Sequence, residues 1–75
     1  MIKVGQIYKV PYLGGKLVIT WIRADRSNFN VVRNDGFFFI CHDIDEKWKL
    51  IAEYPTWQEA VNSKEFKGGM RNEKN

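Results

Sequence analysis

Only one stretch of this 75-residue chain gathers side chains that could do chemistry: Cys41-His42-Asp43-Ile44-Asp45, with Glu46 following. Thiolate, imidazole and carboxylate all suit zinc, which takes about four ligands in a structural site. On an extended chain Cys41, Asp43 and Asp45 share one face while His42 points to the other. The chain holds one Cys and one His, so a closed Cys/His site within one copy is out of reach. A site would draw on His42, acids and a second copy's ligands, with Cys41, His42 and Asp43 the candidates in this chain and a bend needed to use both Cys41 and His42. The expectation is that no metal or other cofactor binds, with Cys41 a small buried hydrophobe and His42 an ordinary strand residue. Nucleophilic catalysis meets the same obstacle, because neighbours on a strand point apart and His42 cannot easily activate Cys41. Asp43, Asp45 and Glu46 read as a solvated acidic turn. Neither glycine pair, Gly14-Gly15 or Gly68-Gly69, has the context of a phosphate-cradling loop. The chain is therefore expected not to be an enzyme.

The elements around this stretch are mostly strands. Val31-Val32-Arg33 and Phe37-Phe38-Phe39-Ile40-Cys41-His42 flank Asn34-Asp35-Gly36, and Asp-Gly between β-branched and aromatic runs marks a hairpin. In its second arm Phe37, Phe39 and Cys41 point one way and Phe38, Ile40 and His42 the other. That arm is either buried on both sides or offers an aromatic face to a partner. Upstream, residues 2–13 read as a first strand region, with Gly5 at a bulge or bend and Pro11 at its exit. Lys16 to Arg23 reads as a second strand, with Leu17, Ile19 and Trp21 on one face and Val18, Thr20 and Ile22 on the other. Asp25-Arg26-Ser27-Asn28 is a polar turn, Phe29 to Arg33 a third strand, and Trp48 to Tyr54 a fifth.

After Pro55 the period changes. Thr56-Trp57-Gln58-Glu59 is a capping box, and Trp57, Ala60 and Val61 fall on one helical face. The spacing predicts a short helix over 57–62, with room for an extra turn through Lys64-Glu65-Phe66 that docks Phe66. The fold class expected is α+β and mainly β: a five-stranded, strongly bent antiparallel sheet followed by one short C-terminal helix. An SH3-like or OB-like small barrel is one way to bury strands that are apolar on both faces; covering the second face with the helix is another. The domain expected spans 1–67, with 68–75 a flexible polar tail.

Composition bounds the rest. Three Trp, three Tyr and five Phe give a small chain more apolar area than its length suggests. A lone Cys excludes an internal disulfide framework, and no apolar run reaches membrane-spanning length. The N-terminal residues lack a signal-peptide apolar region, so a cytoplasmic protein with no membrane partner is expected. The net charge of +3 is unevenly spread. Residues 1–34 carry six Lys or Arg against one Asp, whereas residues 35–60 carry six acids against two Lys.

The segment Trp48-Lys49-Leu50-Ile51-Ala52-Glu53-Tyr54-Pro55-Thr56-Trp57-Gln58-Glu59-Ala60-Val61-Asn62-Ser63-Lys64-Glu65-Phe66 resembles the C-terminal ending of small orphan proteins encoded by phages and prophages of Gram-positive bacteria. It covers about a quarter of the chain and is a structural signature, a strand leading into a capped helix. The resemblance implies a mobile-element accessory protein of the kind that binds and blocks a host machine. Anti-CRISPR proteins, which inhibit a guide-RNA nuclease, belong to that genre.

Two functional expectations follow. In the first, the chain binds and inhibits a host protein, a defence nuclease under the resemblance, without catalysis. Its interface would use Trp21, Phe38 and Trp48, residue types that anchor interfaces, together with the acidic turn Asp43, Asp45 and Glu46. An edge strand could also add to a partner's sheet or to a second copy, making a homodimer. In the second, a small β-barrel binds nucleic acid with Lys9, Lys16, Arg23, Arg26 and Arg33, interleaved with Tyr8, Tyr12, Trp21 and Phe29.

Overall fold

The computed structural model describes residues 2–11 and 15–67. Five strands form one antiparallel sheet: β1 (Gln6–Val10), β2 (Gly15–Ile22), β3 (Phe29–Arg33), β4 (Phe38–Cys41) and β5 (Lys49–Glu53). Two short helices follow, α1 (Trp57–Val61) and α2 (Lys64–Lys67). The architecture is therefore α+β and mainly β, as the pattern predicts, with the extra turn at Phe66 formed as a second helix. The expected tail 68–75 and Tyr12 lie outside the described residues.

The strand order is β4-β3-β2-β1-β5. The first four strands run as a meander and β5 returns to pair with β1. The ladder does not pair β4 with β5, so the sheet remains open and leaves those two strands as edges. Both faces are nevertheless apolar. One face gathers Tyr8, Val10, Leu17, Ile19, Phe29 and Val31, against which Ile2, Ile22, Ile44 and Trp48 pack. Trp48 spans β1 and β3, its ring 6.0 Å from Tyr8 and 6.5 Å from Phe29. The other face places Ile7, Val18 and Val32 beneath Ala60 and Phe66 of the helices. The helices thus cover the second face that strands without polar alternation must bury.

Local chemistry explains the joints. Thr56 caps α1, its hydroxyl accepting from the Glu59 amide at 3.2 Å, as a capping box requires. Ser63 links the helices, its hydroxyl donating to the Ala60 carbonyl and accepting from the Phe66 amide. Gly5 has φ +96° and stitches three strands together: its amide donates to Ile19 and its carbonyl accepts from Tyr54. A Cβ there would lie 2.2 Å from the Tyr54 carbonyl oxygen, closer than any side chain can approach. At the hairpin, the Gly36 amide donates to the Arg33 carbonyl and the Arg33 amide to the Phe37 carbonyl, with Gly36 at φ +95°. This is a three-residue loop whose left-handed position falls to glycine.

Two bulges alter what simple alternation predicts. One leaves Ile51 as an extra residue of β5 against β1. The other falls at Thr20: Ile19 faces Val31, but Trp21 faces Asn30 and Ile22 faces Phe29. Strict alternation groups Trp21 with Leu17 and Ile19. The bulge instead turns Ile22 into that core and sends Trp21 to the opposite face, because one inserted residue reverses every later side chain.

Candidate functional site

The helices pack over β1 and β2 and leave the β3–β4 end of their face bare. There the register sets Trp21 beside Asn30, Asn30 beside Ile40, and Val32 beside Phe38. Trp21, Phe38 and Ile40 consequently share one surface, exposed to 48%, 64% and 68%. On the opposite face of the same end, the Arg33 guanidinium lies 5.3 Å from the Phe37 ring and 5.2 Å from the Phe39 ring. Arg33 also pairs with Asp35 in the hairpin loop, which holds the Asp35 carboxyl below the usual carboxylate range. Five consecutive apolar residues, Phe37 to Cys41, thus run into and along an edge strand; Cys41 is partly buried against the core and Phe39 is 36% exposed, while Phe37, Phe38 and Ile40 are each more than 60% exposed.

The other candidates disperse. Trp48 is half-buried and packs against the core beside Tyr8 and Phe29. Asp45 shapes its own turn, accepting the Lys47 amide on its carboxylate and the Trp48 amide on its carbonyl. Asp43 and Glu46 are exposed. His42 and Asp43 line an open recess with Ile2, Arg26, Phe29 and Ile44, but Cys41 faces the core. Burial pushes the Cys41 thiol up, away from the thiolate that metal or nucleophilic chemistry needs. Among the described residues no three of His, Cys, Asp and Glu converge as metal ligands would.

The five basic residues do not form one surface. Arg23 pairs with Asp25 at 3.3 Å, Arg33 with Asp35, and Arg26 donates to the Ile2 carbonyl at 2.6 Å. Lys9 and Lys16 do meet, as direct cross-strand neighbours, and Lys9 has Lys49 on its other side. Lys16, Lys9 and Lys49 therefore form a row across β2, β1 and β5. Lys16 donates to the Glu65 carbonyl of α2, and Lys9 and Lys49 make no ion pair among the described residues. Like charges set directly opposite one another repel.

Sequence reasoning missed Ile40 and Lys49. The alternation of Phe38 and Ile40 was the signal for the first. Lys49 had none, since its place in the row depends on which strand pairs with β1.

Searches of protein-family models, of curated proteins and of solved structures found no match to this chain. No helix among the described residues is long and apolar enough to cross a membrane.

Proposed function

We propose that this protein is a non-catalytic binding module that docks on another protein through the bare end of its sheet, centred on Trp21, Phe38 and Ile40. One observation carries this reading: three large apolar side chains share one sheet face around Asn30, each about half exposed or more. Contiguous apolar surface of a few hundred Å² on a small domain marks an interaction site more often than a packing fault. Trp is among the residue types that concentrate binding energy. The resemblance of segment 48–66 supports a narrower form, in which the partner is a host protein such as a defence nuclease and docking blocks it. The exposed acids Asp43 and Glu46, directly after β4, would then compete for a basic nucleic-acid channel.

The test is capture from host-type lysate after nuclease digestion, comparing the native chain with Trp21→Ala/Phe38→Ser/Ile40→Ser. All three side chains are about half exposed or more, and circular dichroism of the variant checks that it keeps the fold. A protein retained by the native chain and lost by the variant supports the reading. Equal retention by both overturns the surface assignment.

A second reading is favoured by the lysine row. A polyanion laid across Lys16, Lys9 and Lys49 would relieve their mutual repulsion, and a nucleic-acid backbone is such a ligand. Lys9→Glu/Lys49→Glu would then abolish oligonucleotide binding and flatten its salt dependence. Arg23 and Arg33, already paired within the chain, would contribute little.

A further inference from the structure

The side chains of β4 are only part of what that strand leaves unused; its backbone is the other part. The Arg33 amide donates to the Phe37 carbonyl at 2.7 Å, which makes Arg33 and Phe37 a hydrogen-bonded pair. In an antiparallel ladder, hydrogen-bonded and non-bonded pairs alternate. The register Val32↔Phe38, Val31↔Phe39, Asn30↔Ile40 and Phe29↔Cys41 therefore turns the backbone groups of Phe39 and Cys41 towards β3. Those of Phe38 and Ile40 point outward, where no strand pairs with them.

We propose that this outer edge pairs antiparallel with β4 of a second copy, about a two-fold axis at Phe39, joining two sheets into one. The strand is self-complementary in this register. Phe38 faces the second copy's Ile40, Phe39 faces the second copy's Phe39, and Phe37 faces the second copy's Cys41. Each Phe38–Ile40 pair exchanges two hydrogen bonds through the groups that β3 leaves free. No charge, proline or bulge guards the strand, although natural edges are usually blunted by one of these. A symmetric pairing also closes on itself, whereas head-to-tail addition would propagate.

The area sets the expected strength. Phe37, Phe38, Phe39 and Ile40 are exposed to 62%, 64%, 36% and 68%. At roughly 200 Å² per large side chain, that is about 460 Å² of open apolar surface per copy. Two such strips total about 900 Å², and edge pairing covers only their flanks, so the buried area falls well below the ~1,200 Å² of stable interfaces. The dimer is accordingly weak, reversible and concentration-dependent. Pairing about a two-fold perpendicular to the sheet leaves Trp21, Phe38 and Ile40 of both copies on the same face. It would therefore double the docking surface. The inference rests on the backbone edge and stands or falls apart from the docking reading.

The experiment is amide hydrogen exchange and sedimentation of the full chain across a wide concentration series. At low concentration the Phe38 and Ile40 amides exchange fast, while those of Phe39 and Cys41 are protected. Raising the concentration should slow Phe38 and Ile40 selectively as the sedimentation coefficient rises. Ile40→Pro removes an outward N–H that β3 does not use, and edge positions tolerate proline; it should be monomeric throughout. Ile40→Ser keeps that N–H and should still dimerise, more weakly. A native chain that stays monomeric overturns the inference. So does a dimer in which Phe38 and Ile40 still exchange fast, a reading that needs no variant to fold. Trp21→Ala should leave dimerisation unchanged while weakening partner capture, so failure of one proposal does not imply failure of the other.

Discussion

The two edges of the sheet are built differently. β5 begins with Lys49, ends with Glu53 and carries an extra residue at Ile51. Trp48 before it is drawn into the core, and Pro55 follows it two residues on. Charge, bulge and proline are the devices by which edge strands avoid pairing. β4 has none of them. Its ladder to β3 is regular, its residues are Phe-Phe-Ile-Cys, and both faces at that end reach solvent. β5 also exposes Leu50 and Ile51, to 47% and 37%, so the two edges differ in charge, bulge and proline rather than in apolar exposure, and it is this difference that the proposed docking at β4 draws on.

The comparison is tested most severely by one residue type placed in both halves of the same face. Phe66, 5% exposed, docks from α2 onto the sheet face on which Phe38 of β4 stands 64% exposed. Phe66→Ala should cost about 3–5 kcal/mol of unfolding free energy, as buried Phe truncations do. Phe38→Ala should stay within about 0.5 kcal/mol, as exposed substitutions do. Urea denaturation of both variants checks this; equal losses would mean that the β4 end is covered in solution. Gly5→Ala comes next. It loads strain at φ +96° and pushes the Tyr54 carbonyl at the end of β5 away from residue 5, so a loss of roughly 2–3 kcal/mol is expected. Chemical-shift mapping should place the disturbance along β5 and leave the β4 resonances unmoved.

The smallest effects are electrostatic. Glu65, which accepts from the Tyr54 hydroxyl near the guarded edge, is held below the usual carboxylate range mainly by that hydrogen bond. Asp35, at the open edge, is held low mainly by Arg33. A carboxyl depressed in the folded state adds stability that is complete above its unfolded pKa, about 4, and is lost as the pH falls through the folded value. Stability should therefore be flat near neutrality and decline below about pH 4. Glu65→Gln and Asp35→Asn should each flatten part of that decline, as read from urea midpoints at pH 7 and pH 3. No flattening in either variant would remove the electrostatic contribution assigned to these two pairs.

Much of the fold was legible because its signals are local. The hairpin at Asn34-Asp35-Gly36 needs a left-handed glycine, and the capping box at Thr56 satisfies helix amides within one turn. The change of period after Pro55 separates sheet from helix without reference to anything distant. The site was legible only in part. Phe38 and Ile40 could be paired by alternation, but Trp48, expected at the interface with Trp21 and Phe38, packs partly buried against the opposite core. An aromatic side chain reads the same in sequence whether it fills a core or faces a partner.

By itself, then, the sequence determined which stretches are strands, where the chain turns, and where the helices begin, since each depends on residues within a few positions of one another. Tertiary structure alone decided the rest. The bulge at Thr20 put Trp21 on the open face, and the return of β5 to β1 aligned Lys49 with Lys9. The two short helices pack over β1 and β2 and reach β3 only at Val32, leaving β4 bare. Each of these follows from how distant segments register against one another, and a shift of one residue in that register would have exposed a different face.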